Sequence, residues 1–259
     1  MRIIRFVPAL IIVILLIVAV SCNKKSNYNP VPLTGYYQPL QVGKYIIYRL
    51  DSMTFYYYGE LDTITSYLAK DSVEAAITDG EGRPSWRVVR YLSDTTGTQP
   101  WTPNETYMVT ATNPTLEVVE DNLRFIKLAF PVDNGYTWTG NTYLPYNPYQ
   151  DYFTYSDQSH LDWSGWNYTY QNVNTPFTVN GQTYNNTVTV MQINDSINVP
   201  ITIDTAFASQ TLWTETYAEG IGLIYRNTQM WEYQPPTPNG SQLGYKLGFG
   251  MTLKIVSHN

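Results

Sequence analysis

The chain has 259 residues, among them 24 tyrosines and 7 tryptophans, and 15 Lys and Arg against 21 Asp and Glu set its net charge at −6. Scattered cations on an acidic chain offer no basic patch for a phosphate polyanion, which excludes nucleic acid as a partner. A single cysteine leaves no disulfide and no thiolate metal site, and only two histidines, His160 and His258, are present for imidazole chemistry.

Arg2 and Arg5 precede a 15-residue apolar run, Phe6–Val20, which ends in Ala19-Val20-Ser21 just before Cys22. A positive start, an apolar centre and a small-residue end make the layout of a removable export signal. The run falls short of the roughly 20 residues that a membrane-spanning helix needs. With a cysteine at the cut point, the segment resembles the lipobox of bacterial lipoproteins, although Ala19 stands where Leu is commonest. The resemblance implies cleavage before Cys22 and acylation of its thiol, so residues 1–21 are read as signal peptide. Each buried methylene of an acyl chain contributes about 0.8 kcal/mol to membrane attachment. Loss of residues 1–21 removes two arginines and no acid, moving the net charge from −6 to −8.

Residues 22–41 read as the lipidated N-terminus and a tether, kept extended by Pro30, Pro32 and Pro39. At full stretch about 19 residues reach ~65 Å. By resemblance to lipoprotein sorting rules, Asn23 implies the outer membrane. Surface-displayed lipoproteins of Bacteroidetes-type bacteria carry acids after the cysteine, and Lys24 and Lys25 here imply the periplasmic face instead.

Residues 42–259 are expected to form a single domain. Their Tyr, Trp, Thr and Val content suits a pleated surface, and no segment carries a sustained 3.6-residue period with caps. Lys44–Leu50 reads as a strand. Tyr67–Ile77 and Ser85–Leu92 read as a hairpin around Asp79-Gly80-Glu81-Gly82. Leu123–Phe130 changes parity, which implies either a bulge near Phe125–Ile126 that turns its apolar residues to the core, or a strand buried on both faces. Residues 140–176 show no strand pattern and are expected to pass over one end of the sheet as a long aromatic-rich loop. Asn180-Gly181 predicts a two-residue type I′ turn between Phe177–Val179 and Gln182–Tyr184. Met251, Leu253 and Ile255 alternate with polar residues in a final strand. The fold class is therefore all-β and antiparallel, either a curved sheet closing to a half-barrel or a two-sheet sandwich.

Leu40–Tyr48, Phe125–Pro131 with Trp138–Asn141, and Tyr217–Tyr225 resemble a group of uncharacterised Bacteroidetes-type lipoproteins. The resemblance spans most of the mature chain and implies the same all-β fold and envelope location. That group has no assigned activity to transfer. Six Asp-Ser/Thr triplets, beginning at Asp51, Asp62, Asp71, Asp94, Asp195 and Asp204, resemble the O-glycosylation acceptor pattern of such bacteria. A turn aspartate followed by a β-branched strand residue yields the same triplet.

No nucleophile elbow, zinc-binding His-Glu-x-x-His or phosphate loop is present, and no cofactor is implied. A catalytic triad would have to use His160, with no serine indicated. Asp157, His160 and Asp162 are the densest potential metal ligands, since an extended chain projects His160 and Asp162 to one side. Glu117, Glu120 and Asp121 offer carboxylates for glycoside hydrolysis, yet their setting reads as the wet side and turn of an edge strand. Trp138, Trp163, Trp166 and Tyr168 are the candidate ligand-binding residues. Aromatic faces beside amides suit a sugar, and on that reading at least two of the three indoles are exposed; otherwise the rings pack as a cap over the sheet. The expected function is a non-enzymatic, lipid-anchored envelope module whose partner is the membrane and a glycan or another envelope protein. The alternatives are a glycan-binding accessory protein and a carrier of apolar ligand in a curved sheet.

Overall fold

The computed structural model describes residues 40–259. The signal segment, Cys22 and the tether up to residue 39 lie outside the described residues. Six strands form a first meander: β1 (Tyr45–Tyr56), β2 (Leu61–Thr78), β3 (Pro84–Ser93), β4 (Thr102–Ala111), β5 (Thr115–Glu120) and β6 (Leu123–Ala129). Six more form a second: β7 (Thr137–Trp138), β8 (Tyr168–Val179), β9 (Gln182–Ile197), β10 (Ala208–Ala218), β11 (Gly222–Gln234) and β12 (Tyr245–His258). The two meanders join through antiparallel pairing of β1 with β12, Leu50 opposite Leu253. The result is one 12-stranded sheet in the order β6-β5-β4-β3-β2-β1-β12-β11-β10-β9-β8-β7.

A twisted sheet of this width curls, and here its edges meet. Ile126 of β6 donates its N–H to Gly140 O at 2.8 Å and accepts from Trp138 Nε1 at 2.8 Å. Tyr170 Oη of β8 bonds both the N–H and the C=O of Ala129 at 2.9 Å. Gly140 is required at this seam, because a Cβ there would lie 2.3 Å from the Tyr168 ring. Of the two expected architectures, the curved sheet is therefore the one present, closed almost to a barrel rather than split into a sandwich.

The local expectations for β1, for the β2–β3 hairpin and for β12 agree with the observed strands. Asn180 and Gly181 have φ of 50° and 77°, the left-handed pair a type I′ turn demands. Among the described residues, helix is confined to one turn, α1 (Gln158–Leu161), and a 3-10 turn at Trp163–Gly165.

Two expectations need correction. The β6 bulge falls at Lys127, between Ile126 opposite Glu117 and Leu128 opposite Leu116. Ile126 is pinned at the seam, so the residue carried inward is a lysine: Phe125, Lys127 and Leu128 are buried while Ile126 is only half-buried. The excursion also ends earlier than expected, since β8 begins at Tyr168. Its alternation is hidden by Asn172 and Asn174, both at positive φ, which shift the register against β9.

Residues 139–167 lie against the concave face of β10–β12. Phe153 stacks on Phe249 at 5.9 Å, and Trp163 meets Trp213 edge-on at 4.9 Å. Tyr155 donates to Met230 O. The excursion thus fills part of the interior, and what it leaves unfilled is the site.

Candidate functional site

The four aromatic residues singled out from the sequence do not form a platform. Trp138, Trp163, Trp166 and Tyr168 are 9%, 0%, 4% and 0% exposed. Trp163 and Trp166 stack on each other at 4.5 Å, with Trp213 edge-on to both. Their polar atoms are satisfied inside: Trp163 Nε1 by His160 O, Trp166 Nε1 by Ser159 O, and Tyr168 Oη by Asn141 Oδ1. The expected exposure of two indoles is not met, because the concave sheet supplies apolar partners that bury them. The exposed aromatics of this region are Tyr143, Tyr146 and Tyr152.

Asp157, His160 and Asp162 sit on a helical turn rather than an extended chain, so His160 and Asp162 do not project together. Asp157 caps α1 by accepting from Ser159 N, and its other oxygen takes the Ser209 hydroxyl. His160 is fully buried and stacked on Tyr155 at 4.6 Å. Its Nδ1 lies 3.7 Å from both Asp157 and Glu232 without a hydrogen bond. Burial lowers the pKa of the imidazole despite these two carboxylates. Asp162 accepts from Ser164. Among the described residues no group of three or more His, Cys, Asp and Glu is arranged to hold a metal.

Glu117 and Glu120 are not wet positions. Glu117 is buried between Arg83, at 3.1 Å, and Arg124, at 2.5 Å. Glu120 projects from the other face of β5 into the barrel, where the charged residues of seven strands converge. Arg90 (β3) grips Asp71 (β2) with Nε and Nη2 at 2.7 and 2.8 Å, and its Nη1 reaches Glu105 (β4) at 3.0 Å and Glu120 (β5) at 3.4 Å. Arg226 (β11) holds Glu120 at 3.2 Å and Glu215 (β10) at 2.8 Å. Lys127 (β6) completes the set at 2.9 Å from Glu215. These pairs cross the interior, since β5 and β11 stand six positions apart in the sheet.

The network forms one wall of a cleft of about 720 Å³. Apolar side chains line it as well, Phe125, Tyr149, Phe153, Trp213, Phe249 and Met251, with Phe125 directly against Lys127. Ser52 also faces in, and Asp121, Asn122, Asp151 and Tyr152 stand exposed at the rim. Burial, then the neighbouring Glu120, pushes the Glu105 carboxyl up to about 7. The same two causes raise Asp121. Burial also opposes ionisation of Glu120, but Arg226 and Arg90 outweigh it and hold that carboxyl low. Burial, then Asp71, raises the Tyr107 phenol well above its ordinary value, and its hydroxyl donates to Asp71 at 3.0 Å. Mixed apolar and charged walls can hold a molecule with an apolar body and a polar end.

Sequence reading missed Asp71, Arg90, Glu105, Lys127, Glu215 and Arg226. A usable signal existed for Glu215, which shares the parity of Trp213 and Tyr217, the dry side of β10. Of the Asp-Ser/Thr triplets, Thr63, Thr95, Ser196 and Thr205 are exposed, whereas Ser52 and Ser72 are half-buried.

No family model matches the chain, and no curated protein matches it. Among solved structures it is similar to a Bacteroides fragilis chain described as an exported protein with a YmcC-like fold, at 12% identity and TM-score 0.33, covering 86% of this chain and 100% of that one. A Parabacteroides distasonis chain described as a lipoprotein is 9% identical over 87% of this chain and 99% of that one, with TM-score 0.26. A Vibrio parahaemolyticus domain described as an outer membrane lipoprotein-sorting protein is 10% identical over 84% and 85%, with TM-score 0.19. At these identities and TM-scores they assign no function to this chain.

Proposed function

We propose that the chain is a lipid-anchored, non-enzymatic protein of the cell envelope, held at the periplasmic face of the outer membrane through Cys22, whose β domain binds a small amphipathic ligand in its interior cleft. The cleft carries this reading. Its volume of about 720 Å³ falls within the range of roughly 300–1,000 Å³ typical of small-molecule sites. Its lining combines apolar and aromatic side chains with charged ones. Of the binding modes weighed from the sequence, ligand held inside a curved sheet is favoured over a surface glycan platform, because the indoles that a platform needs are packed away. The order of Arg2, Arg5, the apolar run and Cys22 supports the anchor. The exposed threonines and serine of the Asp-Ser/Thr triplets are where O-glycosylation fits.

Two measurements test this. Mass spectrometry of the mature protein is expected to find acyl chains on an N-terminal Cys22, and Cys22→Ala to leave an uncleaved precursor; a mature N-terminus elsewhere removes the anchor. For the cleft, Ser52→Trp fills it from β1, where Ser52 lies opposite Met251. This variant is expected to weaken binding of the fluorescent apolar probe 1-N-phenylnaphthylamine at least tenfold while the circular dichroism spectrum is unchanged. Equal probe binding by a folded variant would remove the cleft from the function.

A further inference from the structure

The charges around the cleft are unbalanced in a way that selects its occupant. Three cations, Arg90, Lys127 and Arg226, face the cleft. All three are already engaged from behind or beside, Arg90 by Asp71 and the other two by Glu215. Four carboxylates also line the cleft, Glu105, Glu120, Asp121 and Asp151. With Asp71 and Glu215 this makes six carboxylates against three cations. Glu105 Oε1 is buried without any hydrogen-bond partner, and a buried acceptor left unpaired is costly. The vacant capacity is for a donor with positive charge. The cleft is also lined by aromatic rings, Tyr149 and Trp213 among them, and such rings attract cations as well as apolar groups.

Building on the cleft reading above, we propose that the ligand is a cationic amphiphile, an ammonium group on an apolar body. Its ammonium sits among Glu105, Glu120 and Asp121, and its body lies along Phe153, Trp213 and Phe249. An anionic amphiphile meets cations already ion-paired with carboxylates, and the one buried cation nitrogen without a hydrogen bond, Arg226 Nε, lies 2.8 Å from Glu215 Oε1. Protonation couples to this preference. Glu105 is faced by Arg90 from β3, by Asp71 from β2, and by Glu120 and Asp121 from β5 and its turn. Its carboxyl titrates near 7, so it is largely neutral at pH 6 and largely charged at pH 8. A cation binds the charged form better, and affinity therefore rises with pH across that window.

The test is isothermal titration calorimetry of the whole protein with three probes of equal chain length: octylammonium, octanol and octyl sulfate. An alkyl ammonium, like a lysine side chain, titrates near 10 and stays charged from pH 6 to 8. Octylammonium is expected to bind at least tenfold tighter than octanol at pH 8. Its advantage should shrink about threefold or more at pH 6, and octyl sulfate should bind most weakly. Glu105→Gln should abolish the pH dependence. Asp121→Asn, at an exposed turn position where asparagine tolerates the same positive φ, should weaken octylammonium binding severalfold and leave octanol unchanged. Equal binding of octylammonium and octanol, or tighter binding of octyl sulfate, overturns the cationic proposal and leaves the cleft reading standing. Binding of none of the three overturns both.

Discussion

Glu215→Ala is expected to lower the unfolding free energy by about 3–5 kcal/mol, the usual cost of leaving a buried charge without its partner. Glu215 accepts from Lys127 at 2.9 Å and Tyr217 at 2.6 Å, and its Oε1 lies 2.8 Å from Arg226 Nε. Arg226 keeps Glu120 when Glu215 is lost. Lys127 keeps the face of the Phe125 ring, 4.6 Å away, and the weaker attraction of Glu120. Burial already pulls its pKa below the ordinary lysine value, and the attraction of Glu215 is the main influence opposing that fall. In the variant, Lys127 must either shed its proton or remain charged in an apolar setting, and both routes cost stability. Adding Lys127→Met to Glu215→Ala is expected to recover at least 1 kcal/mol, because the orphaned charge is then gone. Urea denaturation followed by tryptophan fluorescence reads both effects. A Glu215→Ala protein within 1 kcal/mol of wild type would mean that the pairs across the barrel do not form.

Trp163→Ala is expected to cost a similar amount, about 3–5 kcal/mol, through loss of buried area and the cavity left behind. The Trp163 ring has no exposed surface. It stacks on Trp166, takes Tyr149 edge-on at 5.1 Å and touches Phe125. Tyr149 and Phe125 line the cleft, so the variant should also weaken probe binding, as a consequence of looser walls. Tyr152→Ala provides the comparison, since that ring is 77% exposed and should change stability by no more than about 0.5 kcal/mol. Thermal unfolding of the two variants side by side decides the matter. If Trp163→Ala left stability untouched while abolishing polysaccharide retention, the surface-platform reading would return.

These two results bear on different parts of the interior. Glu215 belongs to the charged network and Trp163 to the excursion, behind the lining residues Phe125 and Tyr149. The excursion explains how a sheet this wide keeps an interior small enough for one ligand: without residues 139–167 the concave face of β10–β12 would be bare.

Much of the fold was legible in the residues. Strand-forming composition, the absence of helical periodicity and the Asn180-Gly181 turn are local properties, and local steric preference suffices to express them. The candidate site was not legible. Trp163 and Trp166 among polar residues look the same whether they face solvent or a concave sheet. Asp157, His160 and Asp162 look like ligands only if the chain is extended, and Asp157 instead starts a helical turn.

By itself, the sequence determined an antiparallel all-β domain, the position of the two-residue turn at Asn180-Gly181 and the lipobox-like segment that precedes the domain. Tertiary structure alone decided that the sheet curls until its edges meet, that Lys127 is carried inward by a bulge at the seam, and that seven strands aim charges at one another. The reason is the nature of the strand signal. Alternation with period two separates a strand's faces but does not say which face is dry when both carry charges. Glu120 and Arg226 are 106 residues apart in the chain, and Lys127 and Glu215 are 88 apart. Each is a stable buried charge only in the presence of the other, and that condition is met only after the barrel has closed around them.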